Sequence, residues 1–280
     1  MPQHSEINYP PAAGWSPFLF RKEQCFASFL SHNLRIHTYN EPIVRSLFLL
    51  YIEESMMREV HLCYTFPRTK FRLWRQRSYM NILYFVRHGQ TAWNDIGRFQ
   101  GSTDVPLNLL GIEQAEKTAL ALKDIHFDAI YSSPLNRAQV TAQTIARPHQ
   151  LTVQVEPRIA EINFGQWEGM TFEEIERKWP GRIKEMYIHP DTIDIPGSET
   201  FADAESRTMG FLNELISAND NKTFLIVSHG AAIRTMICGL LQIPLDRAWL
   251  FSQGNANITR IEALKDGRNI VRTLNSTAHL

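Results

Sequence analysis

Apolar residues keep no steady period over residues 1–79, but beyond that point they fall into short runs and spaced faces. Ile82-Leu83-Tyr84-Phe85-Val86 is a run of five, β-branched or aromatic at four positions, which predicts a short buried strand. It stops abruptly at Arg87-His88-Gly89. A second run, Thr223-Phe224-Leu225-Ile226-Val227-Ser228, also ends in His-Gly, at His229-Gly230, with Arg234 following. Between them the pattern predicts a helix over 109–123, with Asn108 as N-cap and Ile112, Ala115, Ala119 and Leu122 on its inner face. A strand over 128–132 and a helix over 135–146 opened by Pro134 come next. Residues 151–155 alternate as a strand does, and Thr171-Phe172-Glu173-Glu174 has capping-box spacing. Helices over 202–216 and 231–241 flank the second strand, and strands over 258–263 and 270–273 close the chain.

Such alternation predicts an α/β fold, a largely parallel central sheet with helices on both faces, over residues 80–280. Residues 179–201 are rich in Pro and Gly, with His189-Pro190-Asp191 and Pro196-Gly197-Ser198-Glu199, and read as a loop or lid where selectivity would sit.

Composition sharpens this picture in a few places. Formal net charge is zero, so nothing in the total points to a nucleic-acid partner. Residues 1–79 carry ten Lys/Arg against six Asp/Glu, and the remainder 19 against 23. The stretch 68–77 holds five basic residues and no acid, which is compatible with a basic appendage or a helical hairpin. Residues 46–52 are far too short to span a bilayer, and no secretory pattern opens the chain, so no membrane role is expected. Cys25, Cys63 and Cys238 show no pairing or metal spacing, which suits a reducing cytoplasm. Cys238 reads as a core residue.

A strand that delivers Arg, His and Gly into a loop can build a phosphate site, because ligands of open α/β sheets collect at the carboxyl ends of the strands. Gly89 permits close backbone approach, Arg87 offers a planar charged fork, and His88 a nucleophilic nitrogen. The tripeptide alone carries little weight. Two strands with the same ending are hard to ascribe to packing.

The chain from Met80 to Leu280 resembles the histidine phosphatase superfamily, in particular its phosphoglycerate-mutase-like branch. The matching pieces, in order, are Arg87-His88-Gly89-Gln90-Thr91, Asn94, Phe99-Gln100-Gly101, Ser132-Ser133-Pro134-Leu135-Asn136-Arg137-Ala138, Glu161 with Phe164-Gly165-Gln166-Trp167-Glu168-Gly169, and Ser228-His229-Gly230. The resemblance implies a three-layer sandwich and a phosphohistidine intermediate at His88. It implies Arg87 and Arg137 as clamps on the phosphoryl oxygens and His229 as a hydrogen-bonding partner. Glu161 would be the proton donor, needing burial or the substrate's charge to hold its proton, with Glu168 as the competing carboxylate. Gly89, Gln90, Thr91, Asn94, Gln100, Gly101 and Gly230 are the expected substrate contacts. No metal or other cofactor is expected, and His126, His149, His189 and His279 read as surface or incidental residues.

Family members commonly begin at the position of Met80. The expectation is therefore that translation starts there, with residues 1–79 an over-extended gene start or a poorly ordered extension; an intact mass of the full 280 residues would contradict it. Three activities are compatible: a phosphatase of a small-molecule phosphate monoester, a 2,3-bisphosphoglycerate-dependent phosphoglycerate mutase, or a silent phospho-ligand binder. Ser102, where mutases usually carry tryptophan, favours the phosphatase. The Trp167-Glu168-Gly169 element and the run Leu274 to Leu280 resemble alpha-ribazole phosphatases of cobalamin synthesis as well as broad-specificity phosphatases. A homodimer is a further expectation.

Overall fold

The structure, a computed structural model, describes residues 80–280, so the expectation about residues 1–79 lies outside the described residues. Six strands form one sheet in the order β3-β2-β4-β1-β5-β6. They are β1 Met80–Arg87, β2 Ala129–Ser132, β3 Val153–Val155, β4 Thr223–Ser228, β5 Ile258–Leu264 and β6 Ile270–Ser276. The helices are α1 Ala92–Asp95, α2 Leu109–Leu122, α3 Asn136–Ala146, α4 Phe172–Lys178, α5 Arg182–Ile188, α6 Phe201–Ala218 and α7 Gly230–Leu241.

β3, β2, β4 and β1 run parallel, whereas β5 lies antiparallel to β1 and β6 antiparallel to β5. The sheet is therefore mixed at one end. A tight turn, closed by Gly267 N–H on Leu264 O, joins β5 to β6, and such a connection can only build an antiparallel pair.

Strand alternation sends side chains to two cores. Leu83, Phe85, Phe224 and Ile226 pack against Phe211 and Leu212 of α6 and Ile233 and Met236 of α7. Tyr84, Val86, Leu225 and Val227 face the other way, against Leu122 of α2 and Ala142 and Ile145 of α3. Each fully buried large side chain contributes about 1.5–3 kcal/mol, so both faces must be covered. Cys238 is a buried free thiol on α7, as its apolar setting predicts.

Three local expectations are corrected. Ile112 is exposed; the inner face of α2 is Gly111, Ala115, Thr118, Ala119 and Leu122. The cause is Gly111, whose added Cβ would lie 2.0 Å from Gln90 O, so the helix turns its glycine toward the body and Ile112 to solvent. Pro134 precedes the cap of α3: Leu135 is N-cap, and Asp104 accepts the Asn136 N–H at 2.8 Å. Residues 179–201 contain α5, and Met186, Ile193 and Ile195 are buried in a third cluster with Ile162, Phe164, Trp167 and Phe201. With few inward apolar positions on α5, its flanking Pro and Gly dominate the sequence pattern.

Candidate active site

Three adjacent parallel strands end at one edge of the sheet. Arg87 lies opposite Ser228 and Ser132 opposite Val227. Pairing continues one residue further, since His88 N–H donates to Ser228 O and Ser133 N–H to Val227 O, both at 3.0 Å. The first loop residues are thus held by the sheet itself. His88 and His229 come together with ring centroids 5.1 Å apart, both buried.

The partner of the His88 ring fixes its tautomer. His88 Nδ1 lies 2.7 Å from Gly89 O, and a carbonyl can only accept, so Nδ1 carries the hydrogen and Nε2 keeps its lone pair. His229 Nε2 lies 2.7 Å from Ser133 Oγ, which itself accepts the Leu135 N–H at 3.3 Å. His229 Nδ1, on the other side of the ring, is buried without a partner. Burial first, then the positive charges of Arg137 and Arg87, hold His88 well below the usual histidine value. The same causes, with His88 and Arg207 added, do so for His229. Both rings are neutral at neutral pH.

Arg87 and Arg137 flank the imidazoles. Arg87 Nη1 donates to Gln253 O at 2.7 Å, and Arg137 Nη1 and Nη2 donate to Thr103 O and Gly101 O at 2.8 and 2.7 Å. Their Nε atoms are buried and unpartnered. Burial lowers both guanidinium groups, Arg137 to about 10, and both stay cationic at neutral pH. Buried arginines are ordinarily paired with carboxylates; here every hydrogen-bond partner is a neutral carbonyl. The pocket therefore holds concentrated positive charge and two unused guanidinium N–H donors, a demand that an anion with several oxygens meets.

Glu161 stands across from them. It follows a turn over Pro157–Ile159, and its carboxylate accepts the N–H groups of Ile162, Ala231 and Ala232 at 3.0, 3.2 and 2.9 Å, the last two from the N-terminus of α7. Glu161 is half-buried. Glu168 instead accepts from the backbone and hydroxyl of both Ser102 and Thr103 and from Phe164 N–H, stapling the loop whose Gly101 and Thr103 carbonyls hold Arg137.

The expected substrate contacts divide. Gly89 packs on α2, where an added Cβ would meet Gly111 O at 2.3 Å, and Gly230 lies beside the pocket, where an added Cβ would lie 3.5 Å from Arg87 Nε. Asn94 Oδ1 takes the Thr91 N–H and the Asn255 amide, and Gln100 Oε1 takes the Thr91 hydroxyl, so the oxygen ends of both amides are used internally. Thr91 is buried as the cap of α1. Gly101, at φ +55, turns its carbonyl to Arg137. Gln90 is directed elsewhere, with its Oε1 on Asn108 Nδ2 at the start of α2.

Sequence reasoning assigned no part to Ser133, Asn255, Arg207 or Arg234. Asn255 Nδ2 and Ala256 N–H, the latter in a left-handed turn, hold His88 O. Arg234 stacks on Trp249 at 4.4 Å and donates to Phe251 O and Gly230 O. Ser133 lies inside a motif already singled out and Arg234 closely follows His229-Gly230, whereas Asn255 and Arg207 hold backbone far along the chain and left no signal. Of the histidines read as incidental, His279 is engaged, 3.0 Å from Thr118 Oγ1, and His149 packs edge-on against Phe127. Among the described residues, no group of three His, Cys, Asp or Glu gathers that could hold a metal ion.

The model of the histidine phosphatase superfamily (branch 1) matches residues 83–277. The chain belongs to this superfamily. Phosphoserine phosphatase 1 of Hydrogenobacter thermophilus is 39% identical over 198 residues, covering 71% of this chain and 93% of its own. A probable phosphoglycerate mutase of Yersinia pestis is 31% identical over 206 residues, covering 71% and 94%. The crystal structure of a phosphoserine phosphatase mutant from Entamoeba histolytica, in complex with phosphoserine, matches with a TM-score of 0.63 at 38% identity, over 71% of this chain and 99% of that one. This histidine phosphatase is a phosphoric monoester hydrolase acting on small phosphate esters.

Proposed function

We propose that hydrolysis runs through a phosphohistidine on His88. Phosphate monoesters resist water because a nucleophile meets a dianion and the alkoxide leaves poorly. Neutral His88 Nε2 attacks phosphorus, the bond to the ester oxygen breaks, and Glu161 gives that oxygen its proton. Water then attacks the phosphohistidine, losing its proton to Glu161, and inorganic phosphate departs. Arg87, Arg137 and His229 Nδ1–H hold the oxygens throughout, while Gln100, Asn94 and the backbone at Gly89 and Gly230 border the substrate. The observation that carries this reading is the pair of guanidinium groups whose Nε atoms are buried and unpartnered and whose hydrogen bonds all go to carbonyl oxygens.

The substrate we infer is a three-carbon phosphorylated acid, with L-phosphoserine first. Support comes from the relatives named above. Alpha-ribazole 5'-phosphate is the second reading, and it rests on the tail and the Trp167-Glu168-Gly169 element. Those residues serve the scaffold: Trp167 is buried, Glu168 staples a loop, and Asn275 accepts the Gly254 N–H. That weighs against a nucleoside-reading role. The mutase alternative draws on the Yersinia relative, the phosphatase on Ser102. Steady-state kinetics over L-phosphoserine, 3-phosphoglycerate, alpha-ribazole 5'-phosphate and p-nitrophenyl phosphate tests these readings together. Phosphate release fastest from L-phosphoserine, and lost in His88→Ala, is expected. Isomerisation of 3-phosphoglycerate without release would overturn the phosphatase, and a marked preference for the ribazole ester would overturn the substrate.

Cytoplasmic residence and a homodimer belong to the same proposal. No helix of the described residues is long and apolar enough to cross a membrane. Light scattering of the purified protein reads the oligomer directly, and a single-chain mass would remove the dimer.

A further inference from the structure

The segment 196–199 read from sequence as part of a selectivity lid, yet its Glu199 is tied inward to Arg207 on α6. Arg207 Nε and Nη2 grip Glu199 Oε1 and Oε2 at 2.5 and 2.8 Å. The other edge of the same guanidinium donates to three backbone carbonyls in succession. Nη1 reaches Arg158 O and Ala160 O at 2.6 and 2.9 Å, and Nη2 reaches Glu161 O at 3.3 Å. The planar fork thus holds the backbone that presents the Glu161 carboxyl.

Glu199 closes the far side. Its N–H donates to Asn163 O at 2.9 Å, and Gln166 N–H donates to Pro196 O at 3.0 Å. Gly165, at φ +54, lets the two segments touch, since a Cβ there would lie 2.3 Å from Pro196 O. Glu161 is therefore gripped from upstream by Arg207 and from downstream by the segment that carries Glu199. We propose that the Glu199–Arg207 ion pair is a positioning device for the proton donor, setting where the Glu161 carboxyl stands relative to the departing oxygen. Both side chains are about one-fifth exposed, so the pair is shielded and its geometry is held. Glu199 also neutralises Arg207, which would otherwise place an unpaired cation beside the acid.

This inference rests on Glu161 being the proton donor, and the test separates the two ideas. A proton donor matters for alkoxide leaving groups and little for p-nitrophenolate, which leaves unaided. Glu161→Gln, Arg207→Lys, Arg207→Ala and Glu199→Gln are assayed on L-phosphoserine and on p-nitrophenyl phosphate. For each clamp variant kcat on the alkyl ester is expected to fall about 10- to 100-fold, the loss that a displaced catalytic group brings. The aryl ester rate is read as the burst of p-nitrophenolate, which precedes the step in which Glu161 takes water's proton, and it should stay within about threefold. Added guanidinium ion should restore alkyl ester turnover to Arg207→Ala and leave the aryl rate alone. Should Glu161→Gln show the leaving-group split while the clamp variants slow both esters equally, Arg207 and Glu199 serve the scaffold only and the inference is overturned. If Glu161→Gln slows both esters equally, the proton-donor assignment fails, and the clamp's purpose with it. Glu199→Gln is nearly isosteric, and its aryl ester rate reports whether the protein has folded.

Discussion

Two buried neutral imidazoles make this protein sensitive to acid in a calculable direction. Unfolded, each histidine protonates near pH 6.5; folded, burial and the adjacent arginines hold His88 and His229 well below that. Between those values the unfolded chain binds more protons, so stability is fully present above about pH 6.5 and is lost as pH falls through the window. Each histidine contributes up to about 1.4 kcal/mol per pH unit there. Urea unfolding between neutrality and mildly acidic pH should show this slope, and His88→Asn should about halve it. A flat profile would mean that these rings are solvated. Ser133 gives a second prediction at this scale. Removing its hydroxyl takes away the partner of His229 Nε2 on which the proposed Nδ1–H tautomer depends. Ser133→Ala should lower kcat/KM about tenfold, the order expected for one weakened donor to the transferring group. Nitrogen chemical shifts of His229 should report mixed tautomers, and an unchanged tautomer would contradict the assignment. Arg87, His88 and His229 were legible in the sequence because each ends an apolar run. Ser133 was visible only as part of a motif; its role depends on a partner 96 residues away, which no local pattern reports.

At the scale of elements, the strands and most helices follow from periodicity and caps. Asn108 caps α2 through the Gly111 N–H, and Thr171 with Glu174 closes the expected capping box on α4. What periodicity misses is backbone contact. Gly89 and Gly111 let α2 press on the loop that carries His88, and this contact, rather than apolar spacing, sets the helix's rotation. Gly111→Ala would place a methyl group 2.0 Å from Gln90 O, against backbone that has little room to shift. The expected cost is about 1–3 kcal/mol, with loss of activity because the Gln90 backbone moves. Urea midpoints measure it, and a midpoint at the wild-type value would show that the contact is looser. The same blindness hid α5, where Tyr187 and Ile188 are exposed and only Met186 is buried, and the grip of Arg207 on the Glu161 backbone, which spans 46 residues of chain.

Across the whole molecule, adjacency in the sheet does what distance in the sequence conceals. Because β2, β4 and β1 are parallel neighbours, Ser133 and Arg137, His229 and Gly230, and Arg87 and His88 arrive at one edge from three remote stretches of chain. The alternating pattern implied such a sheet. The antiparallel β5–β6 end was not specified, since runs of that length pair either way. Two faces of helices bury the sheet, and a third apolar cluster beneath residues 161–204 supports the acid side of the pocket. Two guanidinium groups whose hydrogen bonds go to carbonyl oxygens stand beside neutral His88, the arrangement on which the proposed phosphoryl transfer rests. The most direct test is a rapid alkaline quench during turnover of L-phosphoserine, followed by peptide mapping, since phosphohistidine survives base. A phosphoryl group is expected on the peptide containing His88, formed before steady state and absent from His88→Ala. Full turnover with no phosphorylated histidine, or with the label on another residue, would contradict it.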